Sequence, residues 1–218
     1  TDRNSQPLDV LKWVNEAAAW MTPDRVVWCD GSPGEAKSLK EEMVESGTLI
    51  ALNSKKRPRS FLARSEPSDV ARVEARTFVC STDPVDAGPT NNWVDPESMK
   101  ATLQEASKGS MKGRTLYVVP FSMGLLQSPL ARCGVQITDS PYVVLSLHLM
   151  VRVSTTVLDA ITAGRSWTRC THSVGAPLEA GEIDSSWPCN ETKYISHFPE
   201  TNEIVSFGSA YGGNALLP

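Results

Sequence analysis

The chain has 218 residues, slightly above the usual single-domain size, and its 40% hydrophobic and 21% charged residues can bury a sizeable core. A formal net charge of -4 and a pI near 5.4 argue against a broad nucleic-acid surface. The one dense basic run, Lys55, Lys56, Arg57 and Arg59, is short and reads as a solvated loop. The five cysteines (Cys29, Cys80, Cys133, Cys170, Cys189) are odd in number and never two residues apart. They predict reduced thiols in a cytoplasmic protein, with no metal-site spacing.

Thr1 to Pro7 is polar with no apolar run behind it, which predicts no secretory leader. Tyr142 to Val153 is the longest apolar stretch, interrupted by Ser146, His148 and Arg152 and too short to cross a bilayer. Leu8, Leu11, Val14, Ala17, Ala18 and Met21 recur at helical spacing, so a helix should run from about Pro7 and stop before Pro23. Val26 to Cys29 reads as a buried strand. Ser32, Pro33 and Glu35 form a capping-box start for a helix running to about Ser46, and Leu49 to Leu52 forms the next strand. This strand–helix–strand order predicts an α/β layer architecture.

A short polar helix is expected over Ser68 to Glu74, a strand over Thr77 to Ser81 and a surface loop over Thr82 to Trp93. Asp95-Pro96 opens a helix that closes near Gly109. Thr115 to Pro120 has no polar face and should be a central strand buried on both sides. Phe121 to Gly134 reads as an irregular loop, Val135 to Thr138 as a strand, and Ser140-Pro141 as a helix start. Lys193 to His197 and Glu203 to Phe207 flank a Pro-Glu-Thr-Asn turn as a hairpin. One mixed α/β domain over 1–218 follows. The glycine-rich stretch from Phe207 runs into an apolar segment that stops at Pro218, which predicts a chain cut at a domain junction.

Several signatures of catalysis are missing: no G-x-x-x-x-G-K-[ST] loop, no G-x-G-x-x-G fingerprint and no G-x-S-x-G elbow occurs. His148, His172 and His197 stand far apart and read as structural residues. Two segments could bind an anion. In Asp69-Val70-Ala71-Arg72-Val73-Glu74, a guanidinium just before a strand can grip a small carboxylate bidentately. The same residues also fit a surface helix with a local Arg–Glu pair. In Ser209-Ala210-Tyr211-Gly212-Gly213-Asn214, paired glycines let backbone N–H groups converge on an anion beside a tyrosine ring edge. The same residues also fit a tight turn with a core tyrosine. Residue chemistry alone therefore reaches an α/β domain with a candidate acid-binding site.

Longer strings say more. Asp69-Val-Ala-Arg-Val-Glu74, Met111-Lys-Gly-Arg-Thr-Leu-Tyr-Val-Val-Pro-Phe-Ser-Met-Gly124, Ile137-Thr-Asp-Ser-Pro-Tyr-Val-Val144, His172-Ser-Val-Gly175, Trp187-Pro-Cys-Asn190 and Phe207-Gly-Ser-Ala-Tyr-Gly-Gly-Asn214 resemble those of the GTP-dependent phosphoenolpyruvate carboxykinases. The blocks fall in the family's order, span nearly the whole chain, and in detail resemble an actinobacterial member. The resemblance implies the amino-terminal lobe of an enzyme that converts oxaloacetate and GTP to phosphoenolpyruvate, GDP and carbon dioxide in gluconeogenesis. It implies a mixed β-sheet packed between helices, and assigns substrate binding to Arg72, Tyr211, Gly212 and Gly213. It assigns no catalytic or metal-binding residue to this chain. Mn2+ (or Mg2+) and GTP would be bound by residues of a carboxy-terminal lobe, in a monomeric cytoplasmic enzyme with no nucleic-acid or membrane partner. The alternative is a stand-alone domain that binds a small dicarboxylate without catalysis.

Overall fold

A computed structural model of the chain describes residues 6–70 and 73–211. Helix α1 (Leu8–Met21) buries Val14 and Met21 as its spacing predicts, but it buries Val10 in place of Leu8, which stays exposed at the first turn. It stops at Thr22, which is left-handed at φ 53° and is followed by a proline that cannot extend the helix. Strand β1 (Arg25–Trp28) leads to α2 (Pro33–Glu45), where Ser32 Oγ accepts the Glu35 amide at 3.1 Å. The capping box closes only halfway. Glu35 turns its carboxylate to the amides of Asp30 (2.7 Å) and Gly31 (3.3 Å), and Asp30 Oδ1 takes the Ser32 amide.

Strand β2 (Leu49–Ala51) does not rejoin β1. It pairs antiparallel with β3 (Phe61–Ala63) in a separate two-stranded sheet, so the early strand–helix–strand order is not a crossover within one sheet. The short helix expected at 68–74 is displaced. Pro67 and Ser68 form a turn, Asp69 is drawn inward, and a 3-10 turn begins only at Glu74–Arg76. Strand β4 (Thr77–Val79) follows, and the expected loop after it ends in a two-residue edge strand, β5 (Asn92–Trp93). Helix α3 (Pro96–Ser107) starts where Asp95 Oδ2 accepts the Ser98 amide at 2.9 Å.

Strand β6 (Thr115–Met123) runs three residues beyond its predicted end, and β7 (Arg132–Thr138) starts three before its predicted start. Proline and glycine, the usual strand punctuators, are both accommodated by the tertiary fold. The Pro120 carbonyl accepts from Ser154, on the side where β1 has ended and β8 (Arg152–Val153) takes over. The proline nitrogen faces that same gap, so its missing N–H breaks no bond to β7. Gly134 stands opposite Phe121, whose Cζ would lie 2.7 Å from any added Cβ.

Helix α4 (Pro141–Met150) begins as expected after Ser140, whereas α5 (Thr156–Thr162) and β9 (Trp167–Ser173) fall where the sequence suggested no element. Strands β10 (Tyr194–Phe198) and β11 (Glu203–Phe207) form the expected hairpin.

Among the described residues nine strands form one mixed sheet in the order β1-β6-β7-β9-β11-β10-β4-β5, with β8 also on β6. Strands β7, β9 and β11 run together, opposite to β1, β6, β10, β4 and β5. Alternation along β6 explains its lack of a polar face. Leu116 and Val118 pack against α1 and α5 on one side, and Tyr117 and Val119 against α2 and α4 on the other. Each fully buried aliphatic side chain there contributes about 1.5–3 kcal/mol. Helix α3 covers the far end of the sheet, packing Met99 and Leu103 against Phe198 of the sheet. The sheet is thus packed between helices. Among the described residues no helix is long and apolar enough to cross a membrane.

Candidate functional site

The carboxyl ends of β7, β9 and β11 lie side by side, the position where open α/β sheets hold ligands. After β11 the chain turns at Gly208, with φ 94°, where a Cβ would collide with the Thr192 carbonyl. The turn leads into Ser209, Ala210 and Tyr211.

Two buried side chains meet this segment. His172, fully buried on β9, places Nε2 2.6 Å from the Ser209 carbonyl and Nδ1 2.7 Å from Thr138 Oγ1. A carbonyl can only accept, so Nε2 carries the proton and Nδ1 accepts from the threonine. Burial lowers the His172 pKa, against the opposing pull of the Asp139 carboxylate, and keeps the ring neutral. Asp139 itself is pushed up by burial while accepting from the Val174 amide (2.8 Å) and the Ser173 hydroxyl (2.9 Å).

Asp69 comes from the other end of the sequence. Its Oδ2 accepts the Ala210 amide at 2.9 Å and the Trp187 indole N–H at 2.7 Å. Lys193 Nζ lies 3.2 Å from Asp69 Oδ1, off the axis of a hydrogen bond, so that tie is coulombic. The ammonium donates instead to the carbonyls of Asn190 (2.6 Å) and Gly208 (3.2 Å).

Tyr211 sits at the edge of an aromatic group. Its ring meets Trp187 edge-on at 5.1 Å and Tyr142 at 6.4 Å, and those two meet at 4.9 Å. Behind Tyr142 and Trp187 opens a cavity of about 420 Å³, also lined by Arg114, Asp139 and Ala210 but not by Tyr211. Arg114 holds the segment that carries Trp187. It pairs bidentately with Asp184 (2.9 Å and 2.9 Å) and donates to the Ala176 carbonyl at 2.6 Å.

Of the substrate binders expected from sequence, Tyr211 is placed here, whereas Arg72, Gly212 and Gly213 lie outside the described residues. What the structure joins are the neighbours of these residues, Asp69 and Ala210. Sequence reasoning gave no role to Asp69, Trp187 or Lys193 and treated His172 only as structural. The available signal was that Asp69, His172 and Trp187 each open one of the strings that carry the resemblance. His148 is also internally partnered, at 2.7 Å from Glu35. The cysteines are free, and burial raises Cys80 to about 11 and Cys170 to about 12, which keeps both as unreactive thiols. Among the described residues no group of three or more His, Cys, Asp or Glu could hold a metal ion.

The family model for the phosphoenolpyruvate carboxykinase N-terminal domain matches residues 12–218. The chain is 58% identical over 209 residues to the "Phosphoenolpyruvate carboxykinase [GTP]" of Corynebacterium efficiens, covering 96% of this chain and 34% of that protein. It is 56% identical to the proteins of the same description from Corynebacterium jeikeium and Corynebacterium glutamicum, with the same coverage. The chain spans about a third of the length of these curated relatives.

Proposed function

The chain belongs to the phosphoenolpyruvate carboxykinase N-terminal domain family, and from that premise we propose that it is the substrate-binding amino-terminal lobe of a cytoplasmic GTP-dependent phosphoenolpyruvate carboxykinase. The whole enzyme converts oxaloacetate and GTP to phosphoenolpyruvate, GDP and carbon dioxide. Loss of carbon dioxide leaves an enolate whose oxygen takes the γ-phosphoryl group of GTP. A carboxy-terminal lobe completes the site, and there Mn2+ or Mg2+ and GTP supply charge neutralisation and the phosphoryl donor. This lobe's part in the proposal is to bind and orient the substrate.

Arg72 pairs its guanidinium with the substrate carboxylate or lies against the departing carbon dioxide. Tyr211 presents its positive ring edge to the carboxylate, with its ring seated on Trp187 and Tyr142. Gly212 and Gly213 let the backbone approach the ligand closely. The observation that supports this reading is the Asp69–Ala210 hydrogen bond, which joins the segment preceding Arg72 to the segment preceding the two glycines.

The test is Arg72→Ala in the intact enzyme, assayed at steady state with oxaloacetate. We expect kcat/KM to fall at least about 30-fold, as for loss of one desolvated charge-assisted contact. A value near that of the unmodified enzyme would refute the assignment.

A further inference from the structure

We infer that His172 and Asp69 are positioning residues that clamp one peptide group, the unit joining Ser209 to Ala210, and so aim the chain that enters Tyr211 at the substrate. The inference rests on the substrate site proposed above.

The carbonyl and the N–H of a trans peptide point in opposite directions. Here the carbonyl of Ser209 is held by His172 Nε2 at 2.6 Å, and the N–H of Ala210 by Asp69 Oδ2 at 2.9 Å. One grip comes from β9 inside the sheet and the other from the loop before β4, on opposite sides of the chain. A peptide plane held at both ends cannot rotate without breaking two buried hydrogen bonds. Strand pairing ends at Phe207, so the sheet ladder does not provide this restraint.

Each grip is itself held. The His172 ring is fixed by Thr138 Oγ1, which in turn accepts the Ser140 amide at 3.1 Å. The oxygen of Asp69 that takes the Ala210 amide also takes the Trp187 indole, on which the Tyr211 ring rests. The backbone before Tyr211 and the seat beneath its ring therefore share one anchor. Both ring nitrogens of His172 are occupied and the ring is fully buried. The residue is thus poorly placed for acid–base work and well placed to hold. Misplacement of a binding group by about 1 Å can cost about 100-fold in rate.

The experiment uses the intact enzyme. His172→Leu removes the donor, while His172→Gln keeps a side-chain N–H that can reach the Ser209 carbonyl. Steady-state kinetics are measured with oxaloacetate and GTP varied separately, alongside thermal melting. For His172→Leu we expect kcat/KM for oxaloacetate to fall about 10- to 100-fold while KM for GTP stays within about twofold, and His172→Gln to restore activity to within about threefold. Where His172→Leu fails to fold, Thr138→Val decides, with an expected loss of about 3- to 10-fold for oxaloacetate alone. Unchanged oxaloacetate kinetics in a folded variant, a KM for GTP raised as much as that for oxaloacetate, or a glutamine variant as poor as the leucine one would overturn the clamp. Arg72→Ala and Tyr211→Ala are assayed in parallel. If they are near normal, the substrate site itself is wrong; if they collapse while His172→Leu does not, only the clamp is wrong.

Discussion

Asp69 and Ala210 stand 141 positions apart in sequence, yet the Asp69 carboxylate accepts the Ala210 amide at 2.9 Å. The Asp69 side chain is wholly buried and Lys193 beside it is 9% exposed, so the pair is a desolvated ion pair with hydrogen bonds on both partners. This junction ties a loop in the first third of the chain to the last described turn.

Removing one partner of such a pair is more damaging than removing both. Asp69→Ala should therefore destabilise the chain by about 3–5 kcal/mol, because Lys193 is left charged and buried. The double variant Asp69→Ala with Lys193→Met should be less destabilised than Asp69→Ala alone. Urea denaturation midpoints at fixed pH measure both, and a double variant weaker than the single would contradict the prediction.

The buried histidine predicts a pH dependence. The folded-state pKa of His172 lies below its usual 6.5, so below about pH 6.5 the unfolded chain takes up a proton that the folded chain refuses. Stability should fall as the pH drops from about 6.5 toward the lowered value, by at most about 1.4 kcal/mol per pH unit. Asp139 acts with the opposite sign, since its raised pKa makes stability fall as pH rises above 3.8. Comparing the chain with His172→Gln isolates the histidine, because Asp139 is present in both. The difference between their unfolding free energies should change as the pH falls below about 6.5 and level off above it.

Arg114 should matter for the segment that carries Trp187. Its guanidinium is 8% exposed but Asp184 is 38% exposed, so solvent weakens the pair relative to a fully buried one. Arg114→Lys keeps the charge and loses the fork, and should cost about 1–2 kcal/mol. Limited proteolysis should then cleave more readily within 176–188, the stretch spanned by the Arg114 contacts and Trp187. Unchanged cleavage would show that the segment is held by other contacts.

Gly134→Ala tests the extended β6–β7 pairing. The new methyl would meet the Phe121 ring at 2.7 Å, inside a buried strand pair. A loss of about 1–3 kcal/mol is expected from overpacking. Adding Phe121→Leu should recover part of it, as read from thermal melting of the three variants.

Much of the fold was legible locally. The spacing from Leu8 to Met21, the Ser32, Asp95 and Ser140 caps, and the uninterrupted apolar run of β6 each reflect an interaction within a few residues. Local signals failed where a distant partner changed the outcome. Pro120 and Gly134 look like strand breakers, yet β8 takes over beside Pro120 and the Phe121 ring fills the space that Gly134 leaves. Thr156–Thr162 and Trp167–Ser173 showed no clear local pattern, and they take their form from packing and pairing on the central strands. A charged residue in a polar stretch is usually solvated, which puts Asp69 in a polar surface helix by local rules, but Lys193, Trp187 and Ala210 draw it inside.

The sequence by itself determined the layer class, most helix starts and, through its long strings, the family to which the chain belongs. It did so because capping, periodicity and motif identity are carried by neighbouring residues. Only the tertiary structure decided that Asp69, His172 and Trp187 converge on the chain just before Tyr211. Hydrogen bonds between residues far apart leave no periodic trace in the chain, and they form only once the sheet has brought its strand ends together.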